Sequence, residues 1–109
     1  MRLPRGVVRN ETRQTINGRR WRIRLVPARE MPRDALGDCD HPPGPHPTIR
    51  VRRNLTQQRL AEVVCHELLH AALPQLSEEA VTDTAAVLGR ALFSLGWRRK
   101  SLASRQVST

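Results

Sequence analysis

Tyrosine is missing from this 109-residue chain, phenylalanine occurs once and tryptophan twice. A surface that stacks the bases of single-stranded nucleic acid needs exposed aromatic rings, so that class of function is not expected. Cysteine occurs only at Cys39 and Cys65, too few for the disulfide framework of a small secreted domain. Because Cys65 also abuts a histidine motif, a reduced, cytoplasmic setting is expected. No apolar stretch approaches the roughly 20 residues that a membrane helix needs, so no membrane partner is expected. Met1-Arg2-Leu3-Pro4-Arg5 is followed by no apolar run and no small-residue cleavage site, and is not read as a secretory signal. Lysine is almost absent too: Lys100 alone accompanies the arginines among 19 basic residues.

What the chain has in excess is positive charge, +9 in total, and it is unevenly placed. Residues 1–56 carry thirteen arginines against five acids, whereas 57–96 carry two against five. Basic residues return beyond Trp97. An acidic centre between basic flanks suits contact with nucleic acid or another polyanion, although charge alone names no partner. The length fits a single domain spanning 1–109.

The pattern along the chain predicts an irregular arm over 1–12 and a turn at Asn17-Gly18 with a strand on each side. In the second of these, Trp21, Ile23 and Leu25 alternate with arginines and face inward. Residues 34–47, with four prolines and two glycines, read as a loop. Within it Cys39, Asp40, His41 and His46 match no standard zinc spacing and read as a cleft border rather than a second metal site. Ile49 and Val51 alternate within 48–53, an expected edge strand. The period then lengthens. A helix is expected over 56–73, capped by Asn54 or Thr56, with Leu60, Val64, Leu68 and Ala71 on one stripe and Val63, His66, His70 and Leu73 on the next. After Pro74, Ser77 caps a second helix over 78–95. Val81, Ala85, Leu88, Leu92 and Leu95 form its expected buried stripe, and Gly96 stops it. The short connection makes the helices an antiparallel hairpin. The tail 97–109 is basic, then polar.

Chemistry concentrates in His66-Glu67-Leu68-Leu69-His70. Two histidines four apart on a helix project from one face, so both imidazoles can reach one zinc ion. Glu67, beside them, can take a proton from water whose pKa the zinc has lowered. A catalytic zinc needs a third protein ligand, and no histidine follows His70. Glu78, Glu79 and Asp83 are the downstream acids. Glu79 is favoured, with Asp83 one turn on as a hydrogen-bond partner for His66, while Glu78 and Asp83 stand as alternative ligands. Acids in a first helical turn also suit the helix dipole without any metal.

His66-Glu67-Leu68-Leu69-His70 followed by Glu79-Ala80-Val81-Thr82-Asp83 resembles the gluzincin, or thermolysin-like, zinc metallopeptidases. Residues 36–96 also look like the short phage-type members of the metallopeptidases. The resemblance implies His66, His70 and Glu79 as ligands of one zinc ion, Glu67 as general base and Asp83 as support for His66. It implies an α+β fold: a minimal zincin-like domain whose small, mostly antiparallel sheet packs on the helical hairpin. The tyrosine or later histidine that such peptidases aim at the oxyanion is missing, which leaves His41, His46 or Arg90 for that role. The expected function is zinc-dependent hydrolysis of peptide bonds in a protein or peptide substrate. A non-catalytic zinc-containing nucleic-acid-binding or phage accessory protein is the alternative, and a hydrolase of a non-peptide substrate a third reading.

Overall fold

The alternating and helical periods are realised as four strands and two long helices in a computed structural model, which describes residues 9–100. The first eight residues of the expected arm and residues 101–109 of the tail lie outside the described residues. The order is β1 (Glu11–Ile16), β2 (Arg19–Val26), a short 3-10 turn (Ala28–Glu30), β3 (Gly37–Cys39), β4 (Thr48–Arg52), α1 (Gln57–Ala72) and α2 (Glu78–Ser94). Among these residues no helix is long and apolar enough to cross a membrane.

The strands form one sheet in the order β1-β2-β4-β3. β1 and β2 pair antiparallel around Asn17 and Gly18, both at positive φ (51° and 78°), the conformation that a two-residue hairpin turn requires. β4 runs parallel to β2, and β3 antiparallel to β4. The class is therefore α+β with a mixed sheet in which antiparallel pairings predominate.

Three expectations change here. Glu11 and Thr12 belong to β1 rather than to an arm, because their backbone pairs with Ile23 and Arg24. Residues 37–39 are a strand, not loop. Consequently 48–52 is not an edge: β4 sits between β2 and β3, and β3 is the edge on that side. The prolines of the loop all lie beyond Asp40, so they do not prevent Gly37, Asp38 and Cys39 from pairing.

One face of the sheet carries Trp21, Ile23, Ile49 and Val51, which pack with Leu60 and Val63 of α1 into the core. Ile49 and Val51 are fully buried, and each such side chain contributes about 1.5–3 kcal/mol relative to exposure. Thr56 caps α1, its hydroxyl accepting from the Arg59 amide at 3.4 Å, and Ser77 caps α2 through the Ala80 amide at 3.1 Å. Gly96, at φ 95°, follows the end of α2.

The seam between the helices is narrower than the expected leucine stripe. Val81, Ala85 and Gly89 are the buried residues of α2, whereas Leu88 and Leu95 are exposed. Small side chains at this i, i+4, i+8 spacing let the helix axes approach so closely that the leucines flank the contact instead of filling it. At Gly89 an added Cβ would stand 2.8 Å from the Glu62 Cβ and 2.9 Å from its Cα, a clash with backbone that only a shift of one helix relieves. Overpacking at Gly89→Ala costs about 1–3 kcal/mol, against a helix-propensity gain of about 1 kcal/mol for alanine, so a net loss of up to about 2 kcal/mol is expected. Urea unfolding followed by circular dichroism would measure the difference.

Candidate metal centre

His66 and His70 lie one helical turn apart near the carboxyl end of α1, their rings in an edge-to-face arrangement with centroids 4.8 Å apart. Their Nε2 atoms are 3.2 Å from each other. α2 starts opposite this turn, and its first residue closes the group. Oε1 of Glu78 lies 3.0 Å from Nε2 of His66, and Oε2 lies 3.0 Å from Nε2 of His70. The donor atoms of these three residues all fall within 4.8 Å of one another, so the group could hold a metal ion.

The donor set fits zinc. Two imidazole nitrogens and a carboxylate oxygen are ordinary zinc ligands, and bonds of about 2.0–2.1 Å to a tetrahedral ion hold donors about 3.3 Å apart. Two ring nitrogens facing each other at 3.2 Å also need something between them, either a proton or a cation, because two lone pairs repel. Helix ends add to the fit. Glu78 sits at the positive end of the α2 dipole and the histidines near the negative end of α1, which favours a carboxylate on one side and a cation on the other.

Glu79, favoured as the third ligand, is not part of this group; the carboxylate that lies beside the histidines is that of Glu78, exposed like its neighbour. The reason is rotational. Extending the buried seam of α2 backwards from Val81 and Ala85 by three and seven residues reaches Glu78, which faces α1. Glu79 is turned about 100° away. That signal was present in the sequence, where the dipole explanation for Glu78 masked it. Asp83, on the same outward face as Glu79, is likewise exposed, and no hydrogen bond joins it to His66 among the described residues.

Glu67 occupies a different setting. It continues the core stripe of Leu60 and Val63 and is 6 % exposed, the one buried charged residue among those described. Burial, together with the nearby carboxylates of Asp38 and Glu78, pushes its carboxyl from an ordinary 4.5 up to about 7. β3 comes close enough for this because residue 37 is glycine. A Cβ there would stand 2.9 Å from Val63 Cγ1 and 3.1 Å from the Glu67 carboxylate.

A cavity of about 510 Å³ opens between these elements, with His66, Glu67, His70 and Glu78 on the helical side and Gly37, Cys39 and His41 across from them. Burial first, and then the carboxylates of Glu67, Asp40 and Asp38, raise the Cys39 thiol to about 12, so it is held as the neutral thiol. Of the candidate oxyanion groups, His41 lines this cavity. His46 lines a separate one formed with arginines, and Arg90 lies exposed on α2. Asp40 is occupied at the start of β4, accepting from the Thr48 amide at 3.0 Å.

The backbone of β3 completes the cleft. Leu36 accepts from the Arg52 amide and the Asp40 amide donates to the Thr48 carbonyl, which makes residues 36, 38 and 40 the ones bonded to β4. In an antiparallel ladder the alternate residues, Gly37 and Cys39, then point their N–H and C=O groups away, along the open edge beside the cavity. Comparison with known proteins finds no matching family model, no matching curated protein and no matching solved structure.

Two outcomes are expected. Zinc measured per chain should be near-stoichiometric in the parent and in Glu79→Ala, and lost in His66→Ala, His70→Ala and Glu78→Ala. The second concerns protein stripped of metal by a chelator. Glu67 binds its proton more tightly folded than unfolded, so its stabilising contribution is complete below pH 4.5 and is lost as the pH rises through about 7. The urea midpoint of the stripped parent should therefore fall relative to that of Glu67→Gln across this range.

Proposed function

We propose that the protein is a zinc-dependent peptidase in which Glu67 is the general base. The observation that carries this reading is the convergence, on one cavity, of a His66-His70-Glu78 donor group, a buried carboxyl held near neutral and an open strand edge. A zinc ion held by those three residues would supply Lewis acidity, polarising the scissile carbonyl and lowering the pKa of water.

The remaining steps belong to the chain's own groups. An extended peptide pairs with the open edge of β3 through the N–H and C=O groups of Gly37 and Cys39, which lays its backbone across the cavity mouth. Glu67 accepts the proton of the attacking water as the oxygen–carbon bond forms. It then delivers that proton to the departing amine nitrogen as the peptide bond breaks. A carboxyl poised near neutrality suits both transfers, since it can take and return a proton at similar cost. Its burial keeps bulk water from competing for that proton. His41, across the cavity from Glu67, is the side chain available to donate to the developing oxyanion. The open edge favours a peptide over a small non-peptide ester or amide, because an extended backbone alone makes use of it.

Cleavage of an unfolded protein substrate, followed by mass spectrometry of the products, tests this directly. Glu67→Gln should retain zinc and lose roughly 10²–10⁴-fold in rate, and His41→Ala should lower kcat with zinc content unchanged. Cleavage that survives either chelation or Glu67→Gln would overturn the reading.

A further inference from the structure

The face of the sheet turned away from the helices has no part in the metal centre, yet it gathers six arginines. Strand alternation decides its content. With Trp21, Ile23, Ile49 and Val51 packed against α1, the intervening residues point outward, and these are Arg20, Arg22, Arg24, Arg50 and Arg52, joined by Arg13 through its pairing with Arg22. Glu11 and Asp38 share the face, and Asp40 and Glu30 stand near enough to Arg50 to raise its pKa as well. Glu11 lies within 3.3–3.9 Å of Arg13, Arg22 and Arg24 at once, and Asp38 accepts from Arg50 Nε at 3.0 Å. One carboxylate divided among three guanidinium groups leaves most of their charge uncompensated.

At the β1–β2 end of this face a cavity of about 310 Å³ is lined by Arg13, Arg19, Arg20, Arg22 and His46 against a proline wall, and no carboxylate lines it. Arg13 stands directly opposite Arg22, and Arg24 beside Arg50. Like charges in register across strands repel, and phosphate groups seated between them convert that repulsion into attraction. We propose that this helix-free face, centred on the arginine cavity, binds the phosphate backbone of duplex nucleic acid.

The composition of the face selects this partner. Guanidinium forks match phosphate oxygens in pairs, which ammonium groups do not. Peripheral membrane binding combines cations with apolar side chains that enter the lipid, but among the described residues the large exposed apolar ones, Leu73, Val87, Leu88, Leu95 and Trp97, all belong to α2 and the helix ends, not to this face. A single strand would be held by aromatic stacking, and Trp21 is 3 % exposed and turned into the core. Arginines two apart along a strand repeat at about 6.6 Å, giving rows of charge suited to a regular array of phosphates. Binding here leaves the metal cavity, on the helix side, open.

Fluorescence anisotropy with a labelled 20-base-pair DNA duplex tests the proposal, with unlabelled single strand and phosphatidylserine vesicles as competitors. The parent should bind the duplex with log K falling about 0.9 per phosphate contact for each unit of log salt. Arg20→Ala/Arg22→Ala should weaken binding roughly tenfold at 0.1 M salt and reduce that slope by about 2, whereas Arg20→Lys/Arg22→Lys should restore most of the slope. Arg59→Ala/Arg90→Ala, which removes the same charge from the helices, should leave binding within about twofold and the slope unchanged. His66→Ala should bind the duplex as the parent does, separating this surface from the metal centre. Equal losses in the two alanine pairs would show diffuse charge rather than a site and overturn the proposal. So would vesicles or single strand displacing the duplex at lower concentration than unlabelled duplex.

Discussion

The arrangement of the candidate site depends on the tight reversal between α1 and α2. The chain from Leu73 to the cap at Ser77 has room only to turn back, so the first residue of α2 must face the last turns of α1. This brings the positive end of one helix dipole against the negative end of the other, and it sets Glu78 within 3.0 Å of both His66 and His70. The contact is anchored from a second direction. Asn17, in the β1–β2 turn, donates its side-chain amide to the Ala72 carbonyl at 2.7 Å, fixing the end of α1 to the sheet.

Two close approaches, each made by a glycine, then position the rest. Gly89 lets α2 lie against the backbone of α1 at Glu62, and Gly37 lets β3 lie against Val63 and Glu67. α1 is thus held on both sides with Glu67 caught at the end of its apolar stripe. A buried carboxyl beside Asp38 and Glu78 is costly while ionised. A cation among His66, His70 and Glu78 would offset much of that cost, so metal binding there would be coupled by charge to the ionisation of Glu67.

The sheet separates two chemistries by the alternation of its strands. Residues turned toward α1 build the core and the cavity; residues turned away build an arginine-rich face in which Glu11 and Asp38 pair with arginines and Asp40 and Glu30 lie near Arg50. Six arginines of the first half, Arg13, Arg20, Arg22, Arg24, Arg50 and Arg52, thereby share one surface, and the acidic helices lie on the other. Such segregation leaves each side able to meet a different partner.

Periodicity within one element was legible in the sequence. Inward Trp21, Ile23, Ile49 and Val51, the pairing of His66 with His70, and the cap at Ser77 all follow from local geometry, which a strand or helix imposes on its own residues. The cap of α1 stood open between Asn54 and Thr56, and the structure gives Thr56. The sequence also marked Glu67 as the carboxylate beside the histidines. Relations between elements were not legible. That β3 forms at Gly37–Cys39 and covers β4 depends on pairing partners distant in the chain, and three residues hold too weak a signal to announce a strand. That Glu78 rather than Glu79 meets the histidines is a matter of about 100° of rotation, decided by how Val81, Ala85 and Gly89 seat on α1. A sequence determines which side chains share a face; only packing determines what that face meets, because the contact distances are set jointly by both surfaces.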